Sequence, residues 1–138
     1  MTRVLLEHDV LCPDEDVKRV VLCSGKVYYD LFEEREKRGL KNVFFMRLEQ
    51  LYPFPYRALA AELSRFPNAD VVWCQEGPMN MGAWTFVAPR IVEVLAQVKT
   101  ASDKPKYAGR LEAASTATGI HKHHVEEQRK LVDEALTL

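Results

Sequence analysis

The fold is decided by the stretch Val71-Val72-Trp73-Cys74-Gln75-Glu76-Gly77-Pro78-Met79-Asn80-Met81-Gly82-Ala83-Trp84. Its first four residues form a short apolar run of the kind that a parallel sheet buries on both faces. An acid, a Gly-Pro pair, an amide and another glycine follow, which indicates a loop before the next helix. Ligand and partner sites of open α/β sheets lie in such loops, beyond the carboxyl ends of the strands. The pattern fits equally well a solvated connection whose two tryptophans serve only as core.

Strand and helix patterns alternate on both sides of this stretch. We predict strands over residues 17–22, 43–48 and 70–74 and a short edge strand within 104–110, and helices over 26–37, 55–66, 83–98 and 121–136. Such alternation favours right-handed crossovers and a mainly parallel sheet. The expected fold class is α/β, a three-layer α/β/α sandwich with about five strands. Residues 1–16 are expected to form a lead-in arm, and residues 17–138 a single domain.

Local signals define the predicted helices further. Ser24 is the expected N-cap of the first helix, and Gly39 is placed to end it. The charged run 33–38 in that helix is predicted to be solvated. Pro89 should kink the third helix or restart it. In the last helix the apolar residues predicted to face inward are Val125, Leu131, Val132, Ala135 and Leu136.

Composition excludes several classes of protein. The 138 residues are 47% apolar and 28% charged, which is typical of one ordinary globular domain. A net charge of −1 gives no electrostatic reason to expect binding to nucleic acid or a membrane surface. No apolar run approaches the roughly 20 residues of a membrane helix, and the amino terminus does not resemble a signal peptide. Three cysteines without C-x-x-C spacing favour reduced thiols and a cytoplasmic location.

Two groups of polar residues are candidates for anion binding. Ser24-Gly25-Lys26 lies between a strand and a helix, where backbone N–H groups and a lysine can hold an anion. The alternative is a plain capped helix start. A second group near the end of the next strand could bind an acidic ligand or simply pair internally, and it comprises Arg47, Glu49, Gln50 and Arg57.

A catalytic or metal site is not apparent from the pattern. Histidines 121, 123 and 124 lack a partner with ligand spacing, so we predict no metal site. Cys23 and Cys74 end apolar runs, where cysteine usually acts as a small hydrophobe; a thiol enzyme using either one is the alternative. No set of nucleophile, base and orienting residue emerges. We therefore assign no catalytic and no cofactor-binding residues.

Several motifs together resemble a known family. Residues 20–31, Val-Val-Leu-Cys-Ser-Gly-Lys-Val-Tyr-Tyr-Asp-Leu, are similar to a segment of 2-oxoglutarate dehydrogenase, the thiamine-diphosphate-dependent decarboxylating component. The resemblance continues in the same order through four further segments, namely 47–55 (Arg-Leu-Glu-Gln-Leu-Tyr-Pro-Phe-Pro), 73–76 (Trp-Cys-Gln-Glu), 107–110 (Tyr-Ala-Gly-Arg) and 131–136 (Leu-Val-Asp-Glu-Ala-Leu). It covers nearly the whole chain from residue 17, and it is confined to the carboxyl-terminal domain of that longer enzyme.

The resemblance implies a domain similar to the carboxyl-terminal domain of transketolases. In the family, thiamine diphosphate and magnesium are bound by the preceding domains at a dimer interface. The complete enzyme decarboxylates 2-oxoglutarate in the tricarboxylic acid cycle and succinylates the lipoyl group of a partner transferase. This chain alone is therefore expected to be inactive, to complete a homodimer with the remaining domains, and to reside in the bacterial cytoplasm or, in a eukaryote, the mitochondrial matrix. A free-standing anion- or CoA-binding module is the alternative.

The resemblance also suggests particular contact residues. The loop after the third predicted strand is expected to meet other domains through Gln75, Glu76, Asn80 and Trp84. Some actinobacterial relatives are regulated by acetyl-CoA at a site to which Gln50 and Arg57 correspond. Together with Ser24 and Lys26, which the local pattern indicates, they form the expected effector or anion-binding group. The chain departs from the family pattern at Gly77, Met81 and Leu111, where the family usually has glutamate, glutamine and proline. A glycine at 77 removes a charge and loosens the backbone.

Overall fold

The computed structural model describes residues 4–6, 12–78, 83–110 and 121–138, without the side chains of 4–6, 77–78, 110 and 121–124. Its strands are β1 (Val4–Leu6), β2 (Arg19–Cys23), β3 (Val43–Leu48), β4 (Asp70–Pro78) and β5 (Lys106–Arg110). Its helices are α1 (Val27–Arg38), α2 (Tyr56–Leu63), α3 (Trp84–Leu95) and α4 (His121–Leu136). None of the described helices is long and apolar enough to cross a membrane.

The five strands form one sheet in the order β1-β3-β2-β4-β5. The pairs β3–β2, β2–β4 and β4–β5 are parallel, so the prediction of a mainly parallel sheet with the fourth predicted strand at an edge is confirmed. β1 pairs antiparallel with β3, with Val4 opposite Leu48. The sequence analysis did not predict this strand, because three residues are too few to show a period. The division into an arm and a domain stays a prediction.

Helices cover both faces of the sheet, which confirms the three-layer architecture. All five residues of β2 are buried, and alternate side chains enter opposite cores. Val20 and Leu22 pack on the side of α2 and α3. Val21 and Cys23 pack on the side of α1 and α4. This double burial explains why the central strands read as continuous apolar runs.

β4 is longer than its apolar run predicts. The expected end was Cys74, but the strand continues to Pro78 alongside β5. Cys74 pairs with Ala108 and Pro78 with Arg110, so β4 holds two extra residues against β5. Such a bulge lets a strand continue through residues whose Gly-Pro signal resembles a loop. The prediction that residues 75–78 form a loop was therefore wrong.

α1 begins and ends close to its predicted bounds, and Gly39 ends it at a positive φ of 65°, as predicted. The prediction that residues 33–38 are all solvated was wrong at Arg35, which is 0% exposed. Arg35 lies one turn beyond Leu31 on the inner stripe of the helix. Its Nη1 donates to the carbonyl oxygen of Val43 at 3.1 Å, and its guanidinium lies 4.4 Å from the ring centroid of Phe45.

The last helix confirms most of its predicted inner stripe, and the last two helices each correct one detail. α3 runs unbroken through Pro89, so the helix does not restart there. In α4, Leu131, Val132, Ala135 and Leu136 are buried as predicted. Val125 is instead 44% exposed, because it lines an open groove of about 670 Å³ between α1 and α4.

Candidate functional site

The described residues that the sequence analysis selected gather at one edge of the sheet. Cys23 of β2 lies opposite both Arg47 of β3 and Cys74 of β4. Since these three strands are parallel and adjacent, the segments that follow them leave the sheet at the same edge, which we call the carboxyl edge. Those segments contain Ser24, Lys26 and Gln50, and α2 and α3, which carry Arg57 and Trp84, begin at this edge. Gln75 and Glu76 lie in the last part of β4 itself.

The turn after β2 differs from its prediction in one respect. α1 begins at Val27 with Lys26 in the N-cap position, so the prediction that Ser24 is the N-cap was wrong. Gly25 has a φ of +80° and inserts a tight turn before the helix, which displaces the cap by two residues. Ser24 and Lys26 are both exposed.

The group after β3 forms an ion pair and a small aromatic cluster. Arg47 Nη1 lies 3.8 Å from Glu49 Oε1, which favours the interpretation of internal pairing. The guanidinium of Arg47 also lies 4.5 Å from the ring centroid of Tyr28 and 5.9 Å from that of Tyr29. The sequence analysis missed this cluster, although Arg47 lies near the end of β3 and α1 begins just after the neighbouring strand β2. Tyr29 is 63% exposed and provides aromatic surface at the carboxyl edge.

The other two members of this group differ in their contacts. Gln50 Nε2 donates to the carbonyl oxygen of Tyr52 at 3.1 Å and so supports the turn that leads to α2. Arg57 is exposed, and its side chain makes no hydrogen bond or ion pair with the described residues. Tyr52, which lies in this turn, is 83% exposed.

The predicted interface group divides into inward and outward members. Gln75 is 7% exposed, and its Oε1 accepts hydrogen bonds from Trp73 Nε1 at 2.9 Å and from the Trp84 backbone N–H at 3.0 Å. Glu76 is half-buried, and its Oε1 accepts a hydrogen bond from Gln128 Nε2 at 3.2 Å. The Trp84 ring lies 5.1 Å from that of Tyr107. Asn80 lies outside the described residues.

The two central thiols lie in an environment that opposes nucleophilic chemistry. Cys23 and Cys74 face each other across β2 and β4, and both are fully buried. Burial raises the pKa of Cys23 to about 12, against a smaller opposing effect of Arg47. Burial also raises the pKa of Cys74. Because the thiolate is the reactive species, this geometry favours the core interpretation over the thiol-enzyme alternative.

Metal binding has no support in the described part of the chain. No group of three or more histidine, cysteine, aspartate or glutamate residues there could hold a metal ion. The side chains of histidines 121, 123 and 124 are outside the description.

A cluster of charged residues around the buried Arg19, at the opposite, amino edge of the sheet, escaped the sequence analysis. Arg19 is 5% exposed, and its Nε and Nη2 each donate to Asp70 at 2.9 Å. Lys106 Nζ also donates to Asp70 at 2.9 Å. Arg19 Nη1 donates to backbone carbonyls at the end of α4, at 3.2 Å to Glu134, 3.2 Å to Ala135 and 2.7 Å to Thr137. The sequence signal that could have predicted this cluster is the pair of opposite charges, Arg19 and Asp70, at the starts of two parallel strands.

The arrangement defines a transketolase-like α/β/α domain. A solved chain described as split gene transketolase, inactive beta4 tetramer, matches it with a TM-score of 0.58 at 20% identity, covering 90% of this chain and 41% of that one. The particular family is given by sequence. The chain belongs to the 2-oxoglutarate dehydrogenase C-terminal family, whose model matches residues 1–136. The resemblance stated from the motifs is thereby confirmed.

Individual relatives agree with the family. The 2-oxoglutarate dehydrogenase E1 components of Brucella anthropi, Brucella ovis and Brucella melitensis are each 54% identical to this chain over 123 residues. The matched region covers 89% of this chain and 12% of each relative. The chain therefore corresponds to a small part of much longer proteins.

Proposed function

We propose that this chain is the non-catalytic carboxyl-terminal domain of a 2-oxoglutarate dehydrogenase E1 component. The complete enzyme would decarboxylate 2-oxoglutarate with thiamine diphosphate and magnesium, and would pass the succinyl group to the lipoyl group of a transferase in the tricarboxylic acid cycle. The observation that carries the proposal is 54% identity to E1 components across 89% of this chain. The cofactor would lie in the part of those relatives that this chain does not span, and the bacterial cytoplasm is the proposed compartment.

The chemistry of the carboxyl edge supports a role without catalysis. The buried thiols have raised pKa values, which keeps them protonated at neutral pH. Arg47 pairs with Glu49, and Gln75 accepts hydrogen bonds from two tryptophans. These polar groups thus satisfy one another instead of converging on a point where a reacting atom could sit.

The surface of the same edge supports a contact role. Tyr29 and Tyr52 are 63% and 83% exposed there. Interfaces between proteins are enriched in tyrosine and arginine, which combine a large apolar area with a polar end. We therefore propose that the carboxyl edge, together with Glu76, Asn80 and Trp84, meets the remaining domains or the second subunit of a homodimer.

The first experiment assays the purified chain for thiamine diphosphate binding and 2-oxoglutarate decarboxylation. The purified chain is then mixed with a Brucella anthropi E1 component from which the region matched by this chain has been removed. We expect no binding and no turnover from the chain alone, and a complex with increased turnover after mixing. Clear turnover by the chain alone, or the lack of any complex, would contradict the proposal. Sedimentation velocity tests the dimer, and a pure monomer at high concentration would contradict it.

A second function, binding of an anionic effector, rests on a different observation. Ser24, Lys26 and Arg57 are exposed at the carboxyl edge, and the parallel register of β2 and β3 brings the segments that hold Ser24, Lys26 and Gln50 to the same side. An arginine and a lysine suit the phosphates of a CoA ester or nucleotide.

This effector site is tested by thermal shift with acetyl-CoA, CoA and inorganic phosphate. We expect a stabilisation that Arg57→Gln abolishes, because the guanidinium would bind phosphate. Lys99→Gln is the matched control, since Lys99 is an exposed cation in the connection from α3 to β5 at the other edge of the sheet. Absence of a shift in the unmodified chain, or equal loss in both variants, would remove the effector site.

A further inference from the structure

The amide of Gln75 is a polar group in the midst of an apolar core. It stands on β4 just after Cys74, and only 7% of its surface is exposed. We propose that Gln75 is a positioning residue that fixes the start of α3, and with it Trp84, in the contact surface. The positional part rests on the hydrogen bonds of Gln75, and the contact part rests on the proposed function above.

Neither of the two N–H groups that donate to Gln75 has another acceptor among the described residues. Trp73 is buried, and an indole N–H is a donor that needs an acceptor in such a place. The Trp84 N–H belongs to the first turn of α3, whose N–H groups have no acceptor within the helix. Ala83 occupies the N-cap position and offers no side-chain oxygen. A single oxygen, Gln75 Oε1, accepts from both groups at 2.9 and 3.0 Å.

Packing on β5 completes the arrangement, which we call the Gln75 latch (Trp73, Gln75, Trp84, Tyr107 and Gly109). The Trp84 ring packs on Tyr107 at 5.1 Å. A Cβ added to Gly109 would lie 2.6 Å from Tyr107 Oη and 2.8 Å from the Gln75 carbonyl oxygen. Only glycine therefore leaves room for the tyrosine ring and the β4 backbone at this point. The Tyr-Ala-Gly segment of the sequence thus has a packing role.

The latch joins the last part of β4 to the start of α3. Residues 75 and 84 are nine apart in sequence, yet the Gln75 side chain meets the Trp84 backbone at 3.0 Å. Glu76 follows Gln75 directly, and so Glu76 and Trp84 have a fixed relation before any partner binds. Rigid contact groups lose less entropy on association, which is the physical benefit of such preorganisation.

The test compares Gln75→Met with Gln75→Glu. Methionine has a similar shape without an acceptor, whereas a glutamate carboxylate keeps the acceptor oxygens. In ¹⁵N-resolved NMR spectra we expect Gln75→Met to move the Trp73 indole signal and to accelerate amide exchange at Trp84 by about tenfold, the size expected for a lost helix cap. Association with the truncated Brucella anthropi E1 component should weaken by a similar factor. Gln75→Glu should keep the indole signal and the affinity close to those of the unmodified chain.

The outcomes separate this inference from the proposed function. An unchanged indole signal and unchanged Trp84 exchange in Gln75→Met would overturn the latch. Changed spectra with unchanged association would overturn its positioning role and leave the proposed function standing. Failure of the unmodified chain to associate would overturn the proposed function, and the spectra would still decide the latch. If Gln75→Met does not fold, Gly109→Ala perturbs the latch from β5, and an undisturbed Trp84 signal in that variant would overturn it.

Discussion

The two edges of the sheet use charged and aromatic residues in opposite ways. At the amino edge, Arg19 binds Asp70 and three carbonyls at and just after the end of α4, and all of these contacts lie within the chain. At the carboxyl edge, Tyr29 and Tyr52 face outward, and Arg57 has no partner among the described residues. An edge whose charged groups are paired within the chain loses stability when one partner is removed, whereas an edge with exposed aromatic and cationic groups is available for binding.

The largest effect is expected from breaking the amino edge. Arg19→Met leaves the Asp70 carboxylate with Lys106 alone and removes the donors from the α4 carbonyls. Removing one partner of a fully buried ion pair costs about 3–5 kcal/mol of unfolding free energy, and we expect a loss towards the lower end of that range because Asp70 is partly exposed and keeps Lys106. Chemical denaturation measures the loss. Arg19→Lys is the matched control, because it keeps the charge and loses the bidentate geometry. A change below about 1 kcal/mol for the methionine variant would contradict the assigned role.

A smaller effect follows from the pH dependence of the same cluster. Burial acts to raise the pKa of Asp70, but hydrogen bonds from Arg19 and Lys106 outweigh it and lower that pKa. A carboxyl group with a depressed folded pKa stabilises the protein above its unfolded pKa of about 3.9, and this contribution is lost as the pH falls through the folded pKa. Denaturation curves between neutral and acidic pH should therefore show a loss of stability that Asp70→Asn reduces. Identical pH profiles for the variant and the unmodified chain would refute the link.

The smallest effect on stability is expected at the carboxyl edge. Tyr29→Gln removes an exposed ring from a helix and should change the unfolding free energy by about 0.5 kcal/mol or less. The same change should weaken association with the remaining E1 domains, since tyrosine contributes strongly to interfaces. Val92→Gln is the control, because Val92 is also exposed and lies towards the other end of α3. Equal affinities for the two variants would make Tyr29 irrelevant to the contact.

The sequence predicted the layers better than the local polar contacts. Apolar runs in β2 and β4 indicated strands buried on both faces, and the inner stripe at the end of α4 followed from helical spacing. The prediction that Arg35 is solvated was wrong because Arg35 occupies an inner position of α1 within a run of charged residues. Its burial depends on Phe45 and the Val43 carbonyl, which only the fold brings near.

The sequence predicted that the selected residues lie at one edge of the sheet, but it did not predict their contacts. Parallel strands place the segments after β2, β3 and β4 at one edge, and the sequence anticipated that convergence. The inward position of Gln75 was missed because residues 75–78 were predicted to form a loop. In the observed strand Gln75 follows Trp73 by two residues and therefore lies on the same face. The family resemblance supplied what local pattern could not, since it placed five short motifs in one order along the chain.

We propose that the carboxyl edge contacts the remaining domains of an E1 component, whereas the contacts of the amino edge stabilise this domain. Hydrogen–deuterium exchange of the chain, alone and mixed with the truncated Brucella anthropi E1 component, tests it most directly. We expect added protection in peptides that cover residues 24–30, 48–56 and 75–86, and unchanged exchange in peptides covering 14–19 and 100–106. Protection confined to the amino-edge peptides would contradict the account.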